Sequence, residues 1–254
     1  MISLLSPAKK LNYEPITRNC QISAPKFSAE AIGLAKTVSK LNVSQLSNLM
    51  NISSSLSELN QNRFLNFSDK PKKHNLKQAA FTFAGDTYVG LNALSLDPKT
   101  DTFFQRNIRI ISGLYGLLRP FDMIQAHRLE MGSKLLNSKG KNLYEFWGNT
   151  LTLELEETLK KHERKVIINL ASDEYFRAIN TKALSTKVIT PKFFEKRDGK
   201  QKMISFYAKK ARGSLAGFIV KNEIDNPEDL KGFNTDGYRF IAEQSNDSTF
   251  VFER

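Results

Sequence analysis

Cysteine is almost absent from this 254-residue chain: Cys20 is the only one, so no disulfide can form within it. That fits a reducing compartment, and the expected location is the cytoplasm. Histidine is scarce too. His74, His127 and His162 lie far apart in sequence, with no metal-ligand spacing, so neither a metal nor a cofactor is expected. Uninterrupted apolar runs stay well short of the roughly 18 residues a membrane helix needs. The opening MISLLSPAKK has no basic residues ahead of its short apolar part, so it reads as a first strand closed by Pro7. No Pro/Gly/Ser linker, internal repeat or low-complexity tract divides the chain. Residues 1–254 are therefore read as a single domain, long enough to bury a substantial core.

Positive charge is what the chain has in excess. Thirty-eight Lys and Arg against 26 Asp and Glu leave a formal charge of +12. Such an excess points to an anionic partner, nucleic acid foremost, or to lysine-rich solvated faces. Eight basic residues fall between Lys192 and Arg212 against Glu195 and Asp198, which is half of the whole excess. Within that stretch ISFYAKKARGS reads as a strand passing into a basic loop, with a helix opening at Gly213-Ser214. A helix N-terminus beside Lys209, Lys210 and Arg212 would suit a phosphate.

Periodicity places the remaining elements. Helices are predicted from Ser28, over 44–50 and 54–64, over 101–107, over 142–162 as one unit, and over 214–224. Strands are predicted at 2–5, 79–83, 109–111, 166–170, 187–195, 202–207, 238–242 and 249–252. Asp198-Gly199 suits a hairpin turn between two of them. Interleaved strands and helices argue a mixed α/β fold, with a mixed sheet surrounded by helices.

One stretch, SGLYGLLRP from Ser112 to Pro120, sets two glycines around Leu114 and Tyr115 and ends on Arg119. Such a turn lets backbone approach a partner closely, and it is similar to the hairpin of helix-hairpin-helix DNA-binding modules. The same residues also suit a tight structural turn. Carboxylates at Asp86, Asp122, Glu130 and Glu174 could converge as acid–base groups, or simply pair with neighbouring cations.

Taken in order, LLSPAKKL, FAGDTYVGL, ISGLYGLLRPFDMI with HRLEMG, NLASDEYF, ISFYAKKARG and GFNTDGYRF resemble the YaaA family of bacterial peroxide-stress proteins over nearly the whole chain. The resemblance implies a cytosolic protein of the hydrogen-peroxide response that limits iron-linked damage. It also implies binding of double-stranded DNA in a basic cleft, on an α/β fold with a helix-hairpin-helix-like element. Carried over by position, the DNA-binding candidates are Lys9, Ser112, Gly113, Leu114, Tyr115, Gly116, Arg119, Lys209, Lys210 and Arg212. No catalytic residue, membrane contact or obligate protein partner is implied. His127 stands where the family more often has tyrosine. Comparison with helix-hairpin-helix glycosylases supplies the alternative, a DNA repair enzyme of glycosylase or lyase type.

Overall fold

The computed structural model describes residues 1–197 and 199–254, so Asp198 of the expected Asp198-Gly199 turn lies outside the described residues. Ten strands run β1 Ile2–Leu5, β2 Lys77–Gln78, β3 Ile108–Ser112, β4 Gly116–Leu118, β5 Met123–Ile124, β6 Val166–Leu170, β7 Lys187–Arg197, β8 Lys200–Lys202, β9 Arg239–Phe240 and β10 Thr249–Glu253. Ten α-helices run α1 Ser28–Val38, α2 Val43–Met50, α3 Ser54–Leu65, α4 Ala79–Thr82, α5 Asp86–Leu91, α6 Asp101–Asn107, α7 Leu143–Trp147, α8 Thr150–Leu159, α9 Asp173–Phe176 and α10 Ser205–Lys221.

Eight strands form the main sheet in the order β4-β3-β1-β6-β7-β10-β9, with β8 added to β7. The strands from β3 to β10 in that order are mutually parallel, while β4, β8 and β9 run antiparallel to their neighbours. The central strands β1, β3 and β6 are apolar runs buried on both faces, as a parallel sheet covered by helices requires. The fold is thus mixed α/β, with a mostly parallel mixed sheet flanked by helices. β2 and β5 pair separately.

Helix α10 crosses α5 at very short range. A Cβ on Gly213 would lie 1.7 Å from the Thr87 carbonyl oxygen, and one on Gly90 would lie 2.1 Å from that of Lys210. Only glycine permits two backbones to approach this closely. This contact overturns the reading of Gly213-Ser214 as a helix start. The helix begins at Ser205 and runs through AKKARG. Ala208, Ala211, Leu215 and Ile219 are buried along its inner face, so their helical spacing wins over the strand-like start of ISFYAKKARGS. There is no free helix N-terminus beside Lys209, Lys210 and Arg212, and the expected phosphate site there is not formed.

Three further expectations change. Residues 79–82 form one helical turn rather than a strand, with Thr82 Oγ1 donating back to the Gln78 carbonyl at 2.8 Å. The helix expected over 142–162 is two, α7 and α8, with the break at Gly148. SGLYGLLRP is a β-hairpin joining β3 to β4, pairing Ile110 with Leu118, Ile111 with Leu117 and Ser112 with Gly116. The hairpin legs are extended because Ile108–Ile111 is a buried strand of the main sheet, and no helix-hairpin-helix forms around this turn.

Candidate functional site

The C-terminal ends of β3, β1 and β6 lie side by side, and β1 sends its chain toward β3 while β6 sends its own toward β7. Ligands of parallel α/β sheets settle in such crevices, because the loops on either side part and leave space. The loop after β1 supplies Ser6, Pro7 and Lys9, and the connection after β6 supplies Ser172 and, at the start of α9, Asp173 and Glu174. The Ser172 backbone N–H donates to Ser6 Oγ at 2.9 Å, and the Tyr88 hydroxyl donates to the Ser6 carbonyl at 3.0 Å. Two loops and α5 are thereby tied together.

Charged groups gather on this frame. Lys9 Nζ and Arg128 Nη2 reach the same Glu130 oxygen at 2.9 and 3.1 Å. Arg128 Nε is buried without a hydrogen-bond partner. Glu174 Oε1 accepts from the Gly132 backbone N–H at 2.9 Å. Burial lowers the affinity of the Arg212 guanidinium for its proton, an effect that the nearby Asp173 opposes. A small cavity is lined by Pro7, Lys9, Ser112, His127, Arg128, Glu130 and Tyr175. His127 is buried, with Nδ1 2.8 Å from the Gln125 carbonyl and its ring edge-on to Tyr115. Burial pulls its pKa down to about 4, so it stays neutral and acts as a core aromatic.

Five sequence candidates therefore meet at this edge: Lys9, Ser112, Glu130, Glu174 and Arg212. Others do not. Gly113, Leu114, Tyr115 and Gly116 are buried in the turn. The Trp147 indole N–H donates to the Gly113 carbonyl at 3.0 Å, and Ser112 Oγ accepts from the Tyr115 N–H at 3.1 Å. The turn is thus largely covered by protein, with Ser112 and Tyr115 reaching only the walls of cavities. Beyond it, β4 runs back along β3, so Arg119 comes out beside Arg109 instead of joining Lys9 and Arg212. Arg119 pairs with Asp122 at 2.9 Å. Asp122 is 1% exposed and also accepts from the Arg119 backbone N–H and from Ser23 Oγ. A carboxylate satisfied on every side has no free oxygen for acid–base work. Asp86 opens α5, where a negative charge suits the helix N-terminus. On α10, Lys210 pairs with Asp236 at 3.2 Å, while Lys209 points to solvent.

A second feature was not foreseen. A groove of about 670 Å³ is lined by Arg63, Lys70, Lys72 and His74, together with Tyr13, Asn62, Asn66 and Gln125. No carboxylate lines it. The Arg63 guanidinium is partly desolvated and lies close enough to feel Arg128 of the edge cluster. The run DKPKKH from Asp69 to His74 carried the signal in the sequence. Its pairing with Arg63 of α3 needed the tertiary structure.

Sheet order, edge cluster and cationic groove together define an α/β protein with a charged cluster at the C-terminal ends of its central parallel strands and a cationic groove lined from α3 and the chain that follows it. The family model described as "Peroxide stress protein YaaA" matches residues 1–244. A UPF0246 protein of Paraburkholderia phytofirmans is 46% identical over 256 residues, covering 100% of this chain and 98% of that protein. UPF0246 proteins of Hahella chejuensis and of a Janthinobacterium species are each 44% identical, covering 100% of this chain and 99% and 98% of theirs. The chain belongs to the YaaA peroxide-stress family, also called UPF0246. Among the described residues no helix is long and apolar enough to cross a membrane.

Proposed function

We propose that this protein serves the cytoplasmic response to hydrogen peroxide by binding double-stranded DNA and limiting iron-linked damage to it. The observation that carries the DNA reading is the groove of Arg63, Lys70, Lys72 and His74. Three permanent cations and one titratable ring face a concave surface with no carboxylate among its lining residues, in a chain of net charge +12. Concave surfaces of one sign focus potential and favour a polyanion. Lys9 and Lys209, both exposed, extend the attraction beyond the groove.

Contacts of this kind address phosphates, so binding is expected without strong sequence preference. The test is fluorescence anisotropy of a labelled 20-base-pair duplex titrated at several salt concentrations. Neutralisation of about four phosphates gives a slope of log affinity against log salt near −3 to −4. An affinity that does not change with salt would refute the reading.

The edge cluster favours a second reading, a repair enzyme acting on damaged DNA. In that case the acid–base groups are Glu130 and Glu174 rather than the enclosed Asp122. Nicking or base release on an abasic or oxidised duplex, lost in Glu130→Gln but retained in Asp122→Asn, would establish it.

A further inference from the structure

Beside the cationic groove lies a cavity of about 440 Å³ with a different character. Its walls are apolar and aromatic: Ile22, Phe67, Leu76, Tyr115 and Met123. The Phe67 and Tyr115 rings are 6.1 Å apart and tilted by 45°. The side chains of Gln125, Ser23 and Ser28 at its boundary are already occupied. The Gln125 side-chain amide accepts from the Ser68 N–H at 3.0 Å and donates to the Ser68 carbonyl at 2.8 Å. Ser23 Oγ donates to Asp122, and Ser28 Oγ to the Pro25 carbonyl. At the rim Ile22 is 65% exposed, a large apolar side chain without a cover.

What distinguishes this cavity from an ordinary apolar hollow is the charge on both sides of it. It shares Ser68, Pro71 and Gln125 with the groove that holds Arg63, Lys70, Lys72 and His74. Outside the cavity wall, Arg119 Nη2 donates to the carbonyl of Ala24, a lining residue, at 3.0 Å. The Arg119 side chain keeps 39% of its surface exposed. One exposed carboxylate, Asp69, also stands at the rim. The required occupant is flat and apolar, with an anion on each side.

We propose that this cavity receives a single unstacked nucleobase of DNA, with the base against Phe67 and Tyr115 and its flanking phosphates toward Lys70 and Lys72 on one side and Arg119 on the other. The proposal rests on the DNA-binding reading of the groove. Base–aromatic stacking tolerates any base, since every base has a π-face. With the Gln125, Ser23 and Ser28 side chains already paired, the inner wall holds a base by its faces and not by its hydrogen-bonding edge. Extracting a base from a perfect duplex costs unstacking and unpairing, and a base that is already extrahelical avoids most of that cost. The protein therefore prefers duplexes carrying an unpaired base.

The experiment compares three labelled 20-base-pair duplexes at one salt concentration: fully paired, with a single-adenine bulge, and with the same bulge carrying a tetrahydrofuran abasic analogue. The adenine bulge is expected to bind at least fivefold more tightly than either of the others. The abasic bulge has the same flexibility without the base, so equal affinity for the two bulges would overturn the pocket while leaving the groove intact. Ala24→Trp, at an exposed lining position, is expected to fill the mouth, abolish the bulge preference and leave fully paired affinity within twofold. Retention of the preference in that variant would also overturn the pocket. Failure to bind any of the three duplexes would overturn the groove reading and this proposal together.

Discussion

Gly116 sits directly beneath Trp147: a Cβ added at Gly116 would lie 2.8 Å from two atoms of the indole ring. Gly116 also holds φ at +69°, where side chains other than glycine are disfavoured. Glycine is needed here so that the hairpin can turn under a fully buried aromatic.

Gly116→Val is accordingly expected to cost about 2–5 kcal/mol, from left-handed backbone strain and overpacking combined. Urea unfolding followed by the fluorescence of Trp147, the single tryptophan, measures it. A variant as stable as the parent but deficient in DNA binding would contradict this structural role.

Asp122→Asn tests whether that carboxylate is an anchor or an acid–base group. It removes the charge facing Arg119, whose guanidinium is partly solvated. The expected loss is about 1–3 kcal/mol of stability, below the 3–5 kcal/mol typical of a fully buried pair. DNA affinity is expected to stay within threefold. Thermal unfolding and duplex titration on the same preparation provide both numbers.

The groove and α10 make different predictions. In a Lys70→Ala/Lys72→Ala double variant the salt slope is expected to fall by about two, one for each lost phosphate contact. In Lys209→Ala/Lys210→Ala it is expected to change by less than one, because Lys210 is committed to Asp236. The reverse order would move the DNA surface from the groove to α10.

Acid should destabilise the protein through His127. Its pKa is about 4 in the folded chain against the ordinary 6.5, because burial disfavours the charged ring. Between those values the unfolded chain binds the proton and the folded chain does not. Stability is therefore fully present above pH 6.5 and falls as pH drops toward 4. The loss from this residue is on the order of 3 kcal/mol. His127→Gln is expected to reduce the slope of unfolding free energy against pH in that range without abolishing it, because burial first of all pulls His162 down to about 4 as well.

Several elements were legible from local pattern. The apolar runs at 2–5, 108–111 and 166–170 are strands, and the stretches read from Ser28, over 44–50 and over 54–64 are helices. Local pattern failed where a residue's reason lay elsewhere in the fold. Gly213 looked like a helix start because glycine is a poor helix former, but it is there to admit the Thr87 carbonyl of α5. SGLYG looked like an exposed binding loop because glycines are common in such loops, and it proved to be roofed by Trp147.

The sequence by itself determined the family, the mixed α/β class, the excess of positive charge and the strands of the sheet's centre. Each of these follows from composition, from side-chain periodicity, or from motifs contiguous along the chain. Only the tertiary structure decided which charges act together. Lys9, Glu130 and Arg128 meet because the segment after β5 packs against Gly113 at the C-terminal end of β3, beside the end of β1, although Lys9 and Glu130 are 121 positions apart in the chain. Arg63 joins Lys70 and Lys72 because the chain after α3 folds back beside it. Arg119, by contrast, is drawn from the edge cluster toward Asp122 because an antiparallel strand carries it the other way. Coulombic interaction depends on distance through space, and only the packed sheet and helices fix that distance.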